Sequence, residues 1–135
     1  IDRYCHGFVG EKFSLLDQPG PALPTLRLFI RGMIEGGLAD PQRRGCLIAN
    51  TVMELSPHEK EIAGTLRQVL KMAEDTFFRV LARAKQQGEL KKDKDPRALA
   101  RFLTTMLQGT IVMIKAGAPA DAVNQTAETA LSILD

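Results

Sequence analysis

The amino-acid sequence predicts an all-α protein of six helices. Hydrophobic residues recur at intervals of three and four, the spacing that places them on one face of a helix. Proline and glycine divide the chain into segments of helical length, and no segment alternates apolar and polar residues as strands do. The 135 residues are the size of one domain, and a hydrophobic content of 44% suffices for a core.

The first three predicted helices lie before residue 56. The first covers residues 1–16 and is interrupted by the stretch DQPGPALP. The second begins near Pro21 or Pro24, and we expect it to end at the pair Gly36-Gly37. The third is RRGCLIANTVMEL, residues 43–55, which has no charged residue between its basic start and its acidic end. A short helix with so little charge is expected to be buried.

The last three predicted helices have clear start signals. Ser56 and Glu59 form a capping box for the fourth, a long helix that we expect to end at Gly88. The fifth follows the dipeptide Asp95-Pro96 and ends at Gly117, and the sixth covers residues 119–134.

Composition argues against catalysis, metal binding and nucleic-acid binding by this chain. The two histidines, His6 and His58, are not at metal-ligand spacing, and no glycine-rich phosphate loop or nucleophile motif is present. We therefore expect no catalytic residue, no metal and no cofactor. The net charge of +2 comes from 18 basic and 16 acidic residues that are interspersed, so we expect no specific binding to duplex DNA by these residues alone.

The location follows from cysteine content and hydropathy. Two distant cysteines, Cys5 and Cys46, do not make a disulfide framework and fit a reducing compartment. We expect no signal peptide, and the longest charge-free run, residues 102–114, is shorter than the roughly 20 residues that a membrane-spanning helix needs. We expect a cytoplasmic protein without a membrane partner. Because the chain begins at Ile1 with a helical pattern already running, we also expect it to be a piece of a longer protein.

The fifth helix predicts self-association. Its stretch FLTTMLQGTIVMI, residues 102–114, is uncharged on every side and must be covered on every side. We assign the face of Phe102, Met106 and Met113 to the core of this chain and the opposite face to a homodimer interface formed with the sixth helix. A covered core helix in a monomer is the alternative. The predicted interface residues are Leu103, Leu107, Gly109, Ile111, Ile114, Val123, Ala127, Ala130, Leu131 and Leu134.

The third helix predicts a small-molecule site. Cys46 and Asn50 share one face of this uncharged helix, and a buried asparagine needs hydrogen-bond partners. The partner is either a neighbouring backbone group or a bound molecule that Asn50 orients. Methionine and phenylalanine residues nearby can repack around varied guests. The predicted cavity is mostly apolar and is bounded by Phe8, Met33, Cys46, Asn50, Met53, Phe77, Phe102 and Met106.

Several stretches resemble the regulatory domain of the TetR family of bacterial transcription regulators. They are DRYCHGF (residues 2–8), DPQRRGCLIANTVMEL (40–55), SPHEKEIAGTLRQ (56–68), ARAKQQGEL (82–90) and DPRALARFLTTMLQGTIVMIKAGAP (95–119). The resemblance covers essentially the whole chain. It implies a homodimer in which the last two helices of each protomer form a four-helix bundle. It also implies a cavity for a small hydrophobic effector among the middle helices and the fifth.

The same resemblance implies that residues 1–135 are a regulatory domain and that operator DNA is bound by a helix-turn-helix preceding Ile1. The expected function is that of a repressor whose DNA binding is relieved by the effector. Some TetR-like regulators sense electrophiles through a cysteine, a role open to Cys46 because Arg43 and Arg44 precede it. A helical dimerisation or adaptor module without ligand is the alternative, and a cofactor-free helical enzyme is a third.

Overall fold

The computed structural model describes residues 10–43, Glu54 and residues 60–135, with the side chain of Ile62 excepted. This part of the chain consists of helices and turns without a strand, which confirms the predicted all-α class. The α-helices are α1 (Gly10–Ser14), α2 (Ala22–Ala39), α3 (Lys60–Gln86), α4 (Pro96–Lys115) and α5 (Ala120–Leu131). 3-10 turns follow α1 at Leu15–Asp17 and α5 at Ser132–Leu134. The predicted helix at 43–55 and the capping box at Ser56 lie outside the described residues.

The second predicted helix does not end at Gly36-Gly37. In the structure α2 continues through both glycines to Ala39. Each glycine costs about 1 kcal/mol of helix propensity relative to alanine, but Leu38 beyond them packs against the core. A Cβ atom on Gly37 would lie only 3.2 Å from Ile114 Cδ1. Gly37 therefore permits close helix packing and does not terminate the helix.

The predicted ends of α3 and α4 are confirmed. Asp95 caps the start of α4, because its carboxylate accepts hydrogen bonds from the Arg97 and Ala98 amides at 3.0 and 3.4 Å. Gly88 and Gly117 have φ angles of 78° and 89°, the left-handed conformation that glycine adopts without strain. After Gly117, the Ala118 N–H donates to Met113 O at 3.0 Å, which completes the six-to-one bond of a Schellman motif.

The core lies where α2, α3 and α4 meet, and α5 packs against α2 and α4. Phe77 of α3 is fully buried at its centre. The rings of Phe13 and Phe29 meet the Phe77 ring edge to face, with centroids 5.4 and 6.1 Å away. Such pairs add roughly 0.5–1.5 kcal/mol to the burial itself. This aromatic cluster joins α1, α2 and α3.

The start of α2 is capped by side chains from the loop after α3. Pro21, at the N-cap, supplies no side-chain cap. Instead the Ala22 N–H donates to Glu89 Oε1 and to Gln87 Oε1, both at 3.0 Å. A carboxylate at a helix N-terminus is favourable because it faces the positive end of the helix dipole. This contact ties the α3–α4 loop to the beginning of α2.

Replacing Glu89 with alanine should lower the free energy of unfolding by about 0.5–1 kcal/mol, the low end for a lost cap, because Gln87 still accepts from Ala22. Urea denaturation measures the change. Glu89→Gln keeps an oxygen acceptor without the charge, and we expect it to lose less than Glu89→Ala. A stability of Glu89→Ala equal to that of wild type would contradict the capping role.

Ion pairs connect the helices on the outside of the core. Arg31 of α2 donates two hydrogen bonds to Glu128 of α5 at 2.8 and 2.9 Å. Arg97 of α4 lies between Glu74 and Asp75 of α3 at 3.2 and 2.8 Å. The hydrogen bond from Arg97 lowers the pKa of the Asp75 carboxyl below its ordinary value, and Lys71 lowers it further. The hydrogen bond from Arg31 likewise lowers the pKa of Glu128.

These lowered pKa values predict that the protein loses stability in acid. A carboxyl whose pKa is lower in the folded state contributes stability above its unfolded-state pKa, and this contribution disappears as the pH falls through the folded-state pKa. The melting temperature should therefore decrease as the pH falls below the ordinary values of 3.8 for Asp75 and 4.5 for Glu128. Thermal unfolding of an Asp75→Asn/Glu128→Gln variant should show a weaker pH dependence. An unchanged pH profile would contradict the assignment.

Candidate functional site

The candidate site is an open apolar groove of about 930 Å³ between α4 and α5. Both helices expose side chains there that the core leaves uncovered. Phe102 and Met113 of α4 are 39% and 56% exposed, and Ile133 beyond α5 is also exposed. The residues that line the groove are Phe102, Thr105, Met106, Gly109, Thr110, Met113, Ala118, Ala122, Val123, Gln125, Thr126, Thr129, Ala130, Ser132 and Ile133. This exposed apolar surface is the feature of the described part of the chain that needs an explanation.

One stripe of exposed residues on each helix has members at every third or fourth position. On α4 they are Phe102, Thr105, Gly109 and Val112, and along α5 and the 3-10 turn after it they are Ala122, Thr126, Thr129 and Ile133. Alternation of three and four gives a mean period of 3.5 residues, the spacing of helices that pack side by side as in coiled coils. Most of these side chains are small, and the largest are Phe102 and Ile133. Such a surface permits close approach of another helix.

The groove contains hydroxyl groups that are already bonded within their own helices. Thr110 and Thr126 donate to the carbonyls four residues earlier, at 2.8 and 2.9 Å, and Ser132 donates to Thr129 O at 2.6 Å. A buried hydroxyl is costly only when it has no partner. The groove can therefore be covered by apolar groups without leaving these three donors unsatisfied.

The structure reverses the predicted faces of α4. Leu103, Leu107 and Ile114 are almost completely buried in the core of this chain, and Ile111 is only 9% exposed. This burial contradicts their assignment to a partner, and the exposure of Phe102 and Met113 contradicts their assignment to the chain's own core. Met106, the third residue of that predicted core face, is half-buried and does pack against the core. Because α4 is uncharged on both sides, its period reveals two apolar faces but does not say which one α2 and α3 cover.

The predicted interface residues of the last helix are also covered within the chain. The structure buries Val123, Ala127, Ala130, Leu131 and Leu134 against the protomer's own helices, so they do not form an uncovered face. Val123 and Ala130 nevertheless contribute to the floor of the groove. Among the predicted interface residues, Gly109 lies openly in the groove, where an added Cβ would meet no atom within 4 Å.

The predicted effector site is only partly described. Phe8, Cys46, Asn50 and Met53 lie outside the described residues. The other four lie in different surroundings among the described residues. Phe77 is enclosed by the aromatic cluster, and Met33 is half-buried against the core. Phe102 and Met106 instead line the open groove between α4 and α5.

Other chemistry is limited in the described residues. No group of three or more histidine, cysteine, aspartate or glutamate side chains there is arranged to hold a metal ion. No helix in the same part of the chain is long and apolar enough to cross a membrane. The groove itself is lined by apolar groups, hydroxyls and one amide, a surface suited to protein contact and not to acid–base chemistry.

Sequence comparisons identify related proteins. A family model described as "Tetracyclin repressor-like, C-terminal domain" matches residues 22–130. The uncharacterised HTH-type transcriptional regulator YezE of Bacillus subtilis (strain 168) is 33% identical over 138 residues, which cover 100% of this chain and 70% of YezE. The HTH-type transcriptional repressor ComR of Escherichia coli (strain K12) is 33% identical over 89 residues, which cover 66% of this chain and 42% of ComR.

Solved structures show the same fold. Two cysteine mutants of the TetR family transcriptional regulator CifR, each complexed with 26-bp operator DNA, match with TM-scores of 0.84 and 0.83 at 22% identity. The matches cover 99% and 98% of this chain, and 70% and 69% of the CifR chains. The related proteins are transcriptional regulators and not enzymes, in agreement with the prediction from composition. The chain belongs to the TetR family of transcriptional regulators and comprises the C-terminal domain of that family.

Proposed function

We propose that this chain is the regulatory and dimerisation domain of a transcriptional repressor. The observation that carries the proposal is the uncovered apolar groove between α4 and α5, which we assign to a second copy of the same chain. A helix-turn-helix preceding Ile1 binds operator DNA in the whole, cytoplasmic protein. ComR is named as a repressor, and this name supports repression as the mode of control.

The chemistry of the groove supports a second copy as its occupant. In a two-fold symmetric dimer both subunits contribute the same surface. Apolar side chains such as Phe102 and Met113 would therefore contact apolar side chains of the partner. No charged side chain lines the groove, and none would be buried without a counter-charge. Gly109 marks the point where the two copies of α4 approach most closely, because it leaves space for a neighbouring backbone.

The size of the surface is sufficient for a dimer. At 1.5 Å per residue α4 and α5 are about 30 and 18 Å long, and each is about 10 Å wide. A face built from both helices therefore has an area of roughly 500 Å² per protomer, or about 1,000 Å² in the pair, the threshold area that separates biological interfaces from smaller crystal contacts. The dimer is thus a four-helix bundle made from α4 and α5 of two protomers.

Gly109→Leu tests the dimer because it should act in opposite directions on fold and assembly. In the protomer, leucine is the better helix former by roughly 0.8 kcal/mol, and an added Cβ meets nothing there. In the dimer, the leucine side chain occupies the space of the partner helix. We expect the dissociation constant, measured by sedimentation, to rise at least a hundredfold while helicity is kept.

Gly32→Leu is the matched control, because Gly32 is an exposed glycine inside α2 where an added Cβ also meets no neighbour within 4 Å. It should raise the helix propensity of α2 and leave the dissociation constant of the dimer unchanged. The dimer assignment fails if wild type sediments as a monomer at micromolar concentration or if both variants dimerise equally well.

We further propose that the domain binds a small hydrophobic effector that relieves DNA binding. The support is the stretch at 43–55, which has no charged residue between Arg44 and Glu54 and offers Asn50 as the orienting polar residue. A thermal-shift screen of hydrophobic compounds on wild type and Asn50→Leu tests this site. A ligand at a hundred times its dissociation constant stabilises the folded state by about 2.7 kcal/mol. Absence of any shift in wild type would leave the alternative, a ligand-free dimerisation module.

A further inference from the structure

The turn after α2 holds an arginine in an unusual backbone conformation. Arg43 has a φ of 46°, and in the described part of the chain it is the one residue other than glycine with a positive φ. The turn is closed by two hydrogen bonds, from the Arg43 N–H to Asp40 O at 3.1 Å and from the Gln42 N–H to Asp40 Oδ1 at 3.1 Å. A bulky residue in the left-handed region is held there only when its surroundings determine it.

The Arg43 guanidinium donates hydrogen bonds to two backbone carbonyls that are distant in the sequence. Its Nη1 donates to Ala118 O at 2.7 Å and to Ile114 O at 3.3 Å. Ile114 belongs to the last turn of α4, where the carbonyl groups of a helix lack intrahelical donors, and Ala118 lies in the connection just beyond the helix. A positive charge at this position also faces the negative end of the helix dipole. Arg43 thus supplements the Schellman motif at Gly117 with a cap from a distant part of the chain.

Arg43 contacts the end of the groove at which α4 is connected to α5. Ala118 lines the groove and lies in the short connection between α4 and α5. Ile114, the other acceptor, also packs its side chain against Gly37 of α2. Two independent contacts therefore join the end of α2 to the end of α4. Because only four residues connect α4 to α5, the geometry of this connection determines how the two groove helices are set against each other.

We propose that Arg43 is a positioning residue for the dimer groove, which it holds in shape by fixing the α4–α5 connection. The inference rests on the proposed dimer. The dimerisation surface of this chain is therefore controlled from the turn after α2, which lies outside the groove. In sequence, Arg43 also opens the stretch at 43–55 that carries the predicted effector residues.

Three substitutions of Arg43 distinguish the effect of losing the guanidinium from the effect of relieving the backbone strain. Arg43→Met and Arg43→Gly both remove the donor, and glycine alone also relieves the left-handed conformation. Arg43→Lys keeps a cationic donor that can reach one of the carbonyls. We expect the dimer dissociation constant to rise about tenfold with Met and Gly and less with Lys. Amide hydrogen exchange at Gly117 and Ala118 should be faster in Met and Gly, a local readout that global stability does not supply.

Arg79→Met is the control, because Arg79 of α3 pairs with Asp17 of the 3-10 turn after α1, outside the groove. This substitution should leave the dissociation constant unchanged. A dimeric wild type with an unaltered dissociation constant in Arg43→Met would overturn the role of Arg43 alone. Rescue by glycine but not by lysine would also overturn it, since strain and not the guanidinium would then matter. A monomeric wild type would overturn the proposed dimer and this inference with it.

Discussion

Replacing Phe77 with alanine should lower the free energy of unfolding by about 3–5 kcal/mol, the range for a large aromatic residue removed from a core. Phe77 is fully buried, and its ring contacts those of Phe13 and Phe29. The substitution removes both its buried apolar surface and its edge-to-face contacts, and the fixed helices around it cannot close the space completely. Urea denaturation monitored by circular dichroism measures the loss.

Phe102→Ala is the matched control, since it makes the same chemical change at a phenylalanine that is 39% exposed in the groove. In the dissociated protomer we expect it to cost about 1 kcal/mol or less, as is usual outside the core. The comparison also bears on the predicted effector cavity. If Phe77 lined an open cavity and not a packed cluster, its removal would cost little more than the removal of Phe102, and the packing described above would be wrong.

Leu107→Glu should prevent stable folding of the protomer, with an expected loss of more than about 4 kcal/mol. Leu107 is 3% exposed and lies in the core on the inner face of α4. A carboxylate at this position would be buried in apolar surroundings, and leucine packing would be lost as well. Circular dichroism and urea denaturation should show an unfolded or severely destabilised chain, at concentrations where dimerisation plays no part.

Val112→Glu is the corresponding change on the outer face of α4, where Val112 is 36% exposed. The protomer should keep its helicity, and only its dimerisation should suffer. A folded, monomeric Leu107→Glu variant would restore the original assignment, in which Leu107 belongs to the interface. The two variants therefore decide which face of α4 meets the partner.

Local signals in the sequence predicted where most helices begin and end. Asp95 followed by proline predicted the cap of α4, and Gly88 and Gly117 predicted the ends of α3 and α4, because capping depends on a few neighbouring residues. The prediction that Gly36-Gly37 ends α2 was wrong for the opposite reason. Its role depends on Ile114, which is distant in sequence and contacts Gly37 only in the folded chain.

The candidate site was predicted less well than the fold. Gly109 was expected at an interface and lies in the groove, which leaves its interface role a prediction. Phe102 and Met106 were expected beside Phe77, yet Phe102 is exposed in the groove, and Met106 both lines the groove and packs against the core. Methionine and phenylalanine at helical spacing are suitable for a core, a cavity or an interface alike. Composition alone therefore does not separate these environments.

The sequence by itself determined the all-α class, the end of α3 and both ends of α4, and it predicted that α4 is covered on every side. Only the tertiary structure decided which side the chain covers itself. Leu107 and Phe102 are both apolar, and helical periodicity records only their angle about the axis. The docking of α2, α3 and α5 buries the face of Leu107 and leaves that of Phe102 exposed. This choice depends on contacts between distant segments, which no local pattern in α4 encodes.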